Sequence, residues 1–162
     1  MSRLNTAYHN MSVHLSIGVL IALVLVAIAV FIVYRKQKDS ELFKQLDYSL
    51  PVFLFIGIIG IAVACVSPLI DYPAWSALVA SPLIKVKICL AVIAFEVFLM
   101  LFYIRWKKGP KLWENQKLAI YFVVLAVTGG ILISLIGAIG GFITIQETSL
   151  EALLNLLGVS IP

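Results

Sequence analysis

Residues 13–34 read VHLSIGVLIALVLVAIAVFIVY, a run without a formal charge at neutral pH. Wound as a helix at 1.5 Å per residue it covers about 33 Å, enough to cross the hydrocarbon core of a bilayer once. Its two ends differ. His14 stands in the first turn, and the basic run Arg35-Lys36-Gln37-Lys38 closes the last. A secretory signal would carry its charge before a much shorter apolar run and follow it with a small-x-small cleavage site, so the stretch reads as an uncleaved spanning helix.

The rest of the chain repeats this element. Of 162 residues, 62% are hydrophobic and 12% charged, with a mean hydropathy of +1.09. A soluble domain needs roughly twice that charge to cover its surface. Apolar runs at residues 49–70, 83–104 and 118–145 predict three more spanning helices, giving one all-α domain over residues 1–162, an integral-membrane four-helix bundle. Pro51 falls in the first turn predicted for the second helix, where a missing N–H removes no helical bond. The connector 35–48 is charged, and Leu42, Phe43 and Leu46 share a face suited to the membrane interface. The connector 105–117 contains a Gly-Pro break and two tryptophans, Trp106 and Trp113, of the kind found at headgroup level. The fourth run is longer than a perpendicular span needs, so tilting, a kink near its glycines, or emergence from the lipid is expected. Thr148 and Glu151 have capping-box spacing. Leu150, Leu153, Leu154 and Leu157 then predict a short amphipathic helix over residues 149–157, lying on the membrane or a partner.

Charge sets the expected orientation. The net charge of +4 comes from short basic clusters between apolar runs, which suit topology and lipid headgroups rather than nucleic acid. Loop 35–48 holds Arg35, Lys36, Lys38 and Lys44, and loop 105–117 holds Arg105, Lys107, Lys108, Lys111 and Lys117. The lead before residue 13 has Arg3 alone, and the tail after residue 145 has no lysine or arginine. The positive-inside rule places both basic loops in the cytoplasm of a cell-membrane protein, with both termini outside. Lys85 and Lys87 dissent, but at the outer end of the third helix their stems can snorkel to water.

Few residues carry chemistry. His9, Met11, His14, Cys65, Asp71 and Cys89 all fall toward the outer end. His, Cys and Met are soft ligands suited to copper or a haem iron. Equally, cysteines in apolar helices act as small hydrophobes, and an interfacial histidine bonds to water or headgroups. Cys65 and Cys89 lie at depths that would also allow a disulfide. Both histidines are near the N-terminus, so a bis-histidine haem b would need its second ligand from another chain. Glu96, near the middle of the third helix, is the sharpest single residue. A carboxylate there is costly in lipid, so it is expected to face the interior. It then serves as a proton or ion relay, as a hydrogen-bonded structural group, or as a contact to a neighbouring subunit or cofactor. Gly57, Gly60, Gly130, Gly137 and Gly141 form small-residue notches, Gly137 and Gly141 as a GxxxG pair. Such notches let helix backbones approach one another or receive a partner or flat cofactor. No phosphate loop, Ser-His-Asp set or metalloprotease spacing is present, and no intrinsic catalysis is expected.

The stretch His9-Asn10-Met11-Ser12-Val13-His14-Leu15-Ser16-Ile17 resembles the His-Pro-x-x-Val-His-Phe-Pro-Ile-like opening of a family of four-helix membrane domains catalogued as DUF2231. The histidine spacing is kept, while Asn10 and Ser16 replace the two prolines. Gly57, Gly60, Ala64 and Asp71 fit the family's second helix, and Gly140-Gly141 fits its fourth, but no histidine follows that step. The resemblance implies an accessory to redox or respiratory membrane systems, and the missing histidine argues against a self-contained haem site.

Three functions are thus expected to compete. The first is a small accessory subunit packing among other integral-membrane subunits and structural lipids of a respiratory or oxidative complex. The second is a haem b- or quinone-linked electron carrier using His14. The third is a proton, ion or small-solute transporter using Glu96.

Overall fold

The computed structural model describes the backbone of residues 3–71 and 82–156 and the side chains of residues 13–66 and 82–141. Four helices carry the chain: α1 (Arg3–Gln37), α2 (Glu41–Asp71), α3 (Pro82–Lys108) and α4 (Gln116–Leu156). Each contains a segment long and apolar enough to cross a membrane. Consecutive helices pack together and α4 closes onto α1, so the four form a ring. The protein is an all-α, multi-pass membrane bundle.

The helices begin and end where local chemistry directs. Ser40 caps α2: its Oγ accepts the backbone N–H of Phe43 at 3.2 Å, and Glu41 places negative charge in the first turn. The link between α1 and α2 is therefore only residues 38–40, not the predicted 35–48, and α2 starts eight residues earlier than expected. Such a short link forces α1 and α2 antiparallel. α3 ends at Lys108, and Gly109, whose φ of +53° is cheap for glycine, opens with Pro110 a 3₁₀ helix, Gly109–Glu114. Asn115 caps α4, its Oδ1 accepting from Leu118 N–H at 3.1 Å. α4 continues without interruption through Gly129-Gly130 and Thr148 to Leu156. Residues 149–156 prolong α4 rather than starting anew. The side chains of that tail, and residue 157, lie outside the described residues.

The buried positions have coiled-coil spacing. They are 16, 20, 23, 27 and 30 on α1, and 43, 47, 50, 54, 57 and 61 on α2. On α3 they are 94, 98, 101 and 105, and on α4 they are 119, 122, 126, 129, 130, 133 and 136. Apart from the adjacent pair Gly129-Gly130, steps of three and four give a 3.5-residue period, the geometry of left-handed packing near a 20° crossing. Two charged residues, Asp47 and Arg105, occupy core positions in this register.

Close backbone approach supplies the packing that lipid-exposed helices cannot take from the hydrophobic effect. A Cβ on Gly57 would overlap Leu20, and one on Gly60 would lie 2.5 Å from Ser16 Oγ, across the α1–α2 seam. Across α1–α4, a Cβ on Gly130 would lie 2.9 Å from Val24 Cγ2, and one on Gly137 would lie 3.0 Å from Ile17 Cδ1. Phe98 of α3 fills the notch at Gly129, 2.8 Å from a Cβ there. Among the described residues nothing lies within 4 Å of a Cβ on exposed Gly141, so no described contact makes the predicted Gly137–Gly141 pair one notch.

Replacing Gly60 with Val is expected to lower stability by about 1–3 kcal/mol through overpacking against Ser16. Replacing Gly141 with Ala should be neutral or stabilising by about 0.4–1 kcal/mol through the unfolded chain. Thermal unfolding of the two variants in detergent checks both, and equal behaviour would contradict the seam.

Candidate functional site

The densest polar chemistry lies at the basic end of the bundle. Pro51 stands ten residues inside α2, not in its first turn, and has no N–H to give the carbonyl of Asp47 four residues back. Arg105, at the end of α3, supplies the missing donor: its Nη2 donates to Asp47 O at 3.2 Å. The same Nη2 donates to Asp47 Oδ2 at 2.7 Å, and Trp113 Nε1 donates to the other carboxylate oxygen at 2.6 Å. All three residues are buried, Arg105 with 6% of its surface exposed and Asp47 with 3%. Arg105 Nη1 is buried without a hydrogen-bond partner among the described residues. Trp113 in turn packs edge-on against Phe122 of α4, with ring centroids 5.8 Å apart. One carboxylate thus ties α2 to α3 and, through the 3₁₀ turn, to α4.

Several sequence expectations are corrected here. Arg105 is a core residue rather than a headgroup contact, and Trp113 is a buried donor rather than a belt residue. Trp106, 74% exposed, does suit the belt. Phe43 leaves the predicted interfacial face and is buried, with Tyr34 at 5.3 Å between ring centroids; Leu42 alone of that face is exposed. The signal for the cluster was present: a carboxylate one turn before a proline, and an arginine at the same end of another helix.

The opposite end carries the expected ligands, and those among the described side chains are not gathered. His14 is exposed on α1. His9 lies on the same helix, with its side chain outside the described residues, as are those of Met11 and Asp71. Cys65 and Cys89 are free thiols on the exposed surface. Among the described residues, no three His, Cys, Asp or Glu side chains converge as a metal site would require. Lys87 does not simply snorkel outward. It is half-buried, and its Nζ crosses to α4, where it lies 3.1 Å from the position of a Cβ on Gly140.

Glu96 departs most from expectation. It points out of the bundle, not into it. It lies fourteen residues after Pro82 and nine before Arg105, about 21 Å and 14 Å along the helix. Exposed apolar residues surround it: Val92 at 52%, Ile93 at 48%, Leu99 at 41% and Met100 at 45%. Glu96 forms no hydrogen bond, ion pair or ring contact with any described residue. The reason is the register: position 96 falls between the core positions 94 and 98, on the outer face of α3.

No protein-family model, curated protein or solved structure matches this chain.

Removing one member of the buried pair leaves the other uncompensated. Asp47→Leu is expected to cost about 3–5 kcal/mol. Asp47→Leu with Arg105→Met should cost less than Asp47→Leu alone, because no charge is then stranded. Denaturant midpoints in detergent for the wild type, both single variants and the double variant measure the coupling; simple additivity would contradict it.

Proposed function

We propose that the protein is a small integral-membrane subunit that works by packing its lipid-facing surface against other membrane helices, without catalysis of its own. One observation carries this reading: Glu96 stands at mid-depth on an apolar outer face, unsatisfied within its own bundle. A carboxyl group in hydrocarbon demands a partner, and intramembrane ionisable residues almost always face protein or a water-filled cavity. A single-bundle relay would not pass Glu96, because the carboxylate lies outside the ring of helices. The outward placing of His14, Cys65 and Cys89 likewise supports contact with neighbours over a cofactor cradled inside the bundle.

In this reading the chain sits in the cell membrane with loops 38–40 and 109–115 in the cytoplasm. The basic side chains Arg35, Lys36 and Lys38 flank the first, and Lys107, Lys108, Lys111 and Lys117 flank the second. That the assembly is respiratory or oxidative rests on the resemblance of the His9–His14 stretch alone.

Gentle extraction from native membranes is expected to yield the chain in an assembly larger than 17.8 kDa of protein. Glu96→Leu should shift it toward free chain without unfolding it. Recovery of the wild type only as a monomer would contradict the proposal.

A further inference from the structure

We infer that the group facing Glu96 is a second copy of this chain, docked α3 against α3 about a two-fold axis along the membrane normal. The inference rests on the subunit reading above and names its partner. Among the described residues, the outer faces of the other helices offer no comparable demand at mid-depth. α1 presents Leu25 and α2 presents Val52, Phe55 and Ile59 there. On α4, the exposed hydroxyls of Thr128 and Ser134 are already bonded to their own backbone, at Val124 O and Gly130 O. α3 alone leaves a carboxyl unanswered.

The second copy answers it by symmetry. Two copies inserted in the same orientation place identical residues at identical depths, so an isologous contact brings Glu96 to Glu96. A protonated carboxyl both donates and accepts a hydrogen bond, so it is its own complement. A different partner would have to bring a donor to the same depth independently. The surface also has the right period. Cys89, Val92, Glu96, Leu99 and Tyr103 are all exposed and follow one another at steps of three and four. Parallel helices supercoiled in the left-handed sense meet along such a stripe. Cys89, seven residues before Glu96 on this stripe, then faces its own copy across the axis, about 10 Å nearer the opposite end.

Native cysteine therefore reports the contact. In membranes carrying the Cys65→Ser chain, copper-phenanthroline oxidation is expected to produce a disulfide-linked species of twice the 17.8 kDa chain mass. Cys89→Ser should abolish it. Glu96→Leu, which removes a polar group from an outer face and so spares the fold, should lower crosslinking as the dimer constant falls roughly 3- to 30-fold. Glu96→Gln retains a self-complementary donor and acceptor and should crosslink near the wild-type level. Absence of the Cys89 product, or a product indifferent to Glu96→Leu, would overturn the two-fold contact. If the wild type nevertheless extracts in a large assembly with other proteins, the subunit reading survives and the partner is a different chain.

Discussion

A proline inside a helix leaves a carbonyl without its donor, and within a membrane bundle no bulk water stands ready to replace it. Here Pro51 frees the carbonyl of Asp47, and Arg105 of another helix answers it while pairing with the Asp47 carboxylate. Trp113 takes the second carboxylate oxygen. The arrangement fixes how α2 meets α3 and how the turn Gly109–Glu114 folds back beneath them. A buried ion pair adds little net stability compared with well-packed apolar residues, but breaking it is costly. Its effect is therefore on specificity: in a bundle whose helices are apolar on all sides, it singles out one register of α2 against α3.

Beyond that end, register depends on shape. Lipid tails are as apolar as the helix faces, so nothing is gained by merely hiding Leu or Val from lipid. Close approach at Gly57, Gly60, Gly129, Gly130 and Gly137 supplies dispersion contacts instead, each notch filled by a side chain of the neighbouring helix. Large side chains thereby fill small gaps, as with Phe98 against Gly129. The two devices divide the molecule. Charge and aromatic packing hold the basic end, while small residues hold the middle and the opposite end. The outer surface inherits what is left, and on α3 that includes one carboxyl group.

The sequence made the spans legible because hydropathy over about twenty residues is a strong signal, and α1 to α4 lie where it placed them. Helix ends were less legible. The charges around Asp39 and Glu41 suggested a loop, whereas Ser40 capping extends α2 across them. Which face of each helix turns inward was hidden for a physical reason: apolar residues occupy every face, so periodicity carries almost no contrast. Only the small and polar residues broke that uniformity. Gly57, Gly60, Gly130 and Gly137 lie at close helix approaches, whereas Gly141 meets no described atom, so motif spacing alone does not establish a contact. For Glu96 the rule that an intramembrane charge faces protein does not say which way the side chain turns, and its position between core residues 94 and 98 turns it outward. Asp47, Arg105 and Trp113 were passed over because each looked like an ordinary loop or interface residue.

We propose that Glu96, outward on its own bundle, is covered in the membrane by another helix. Its reactivity toward a hydrophobic carbodiimide, which adds to protonated carboxyl groups in lipid, tests this directly. The carboxyl should label slowly in native membranes and rapidly once strong detergent separates the chain from its neighbours. Glu96→Gln, unlabelled in both states, identifies the site. Equal labelling rates before and after dissociation would show a carboxyl facing lipid alone and would contradict the account.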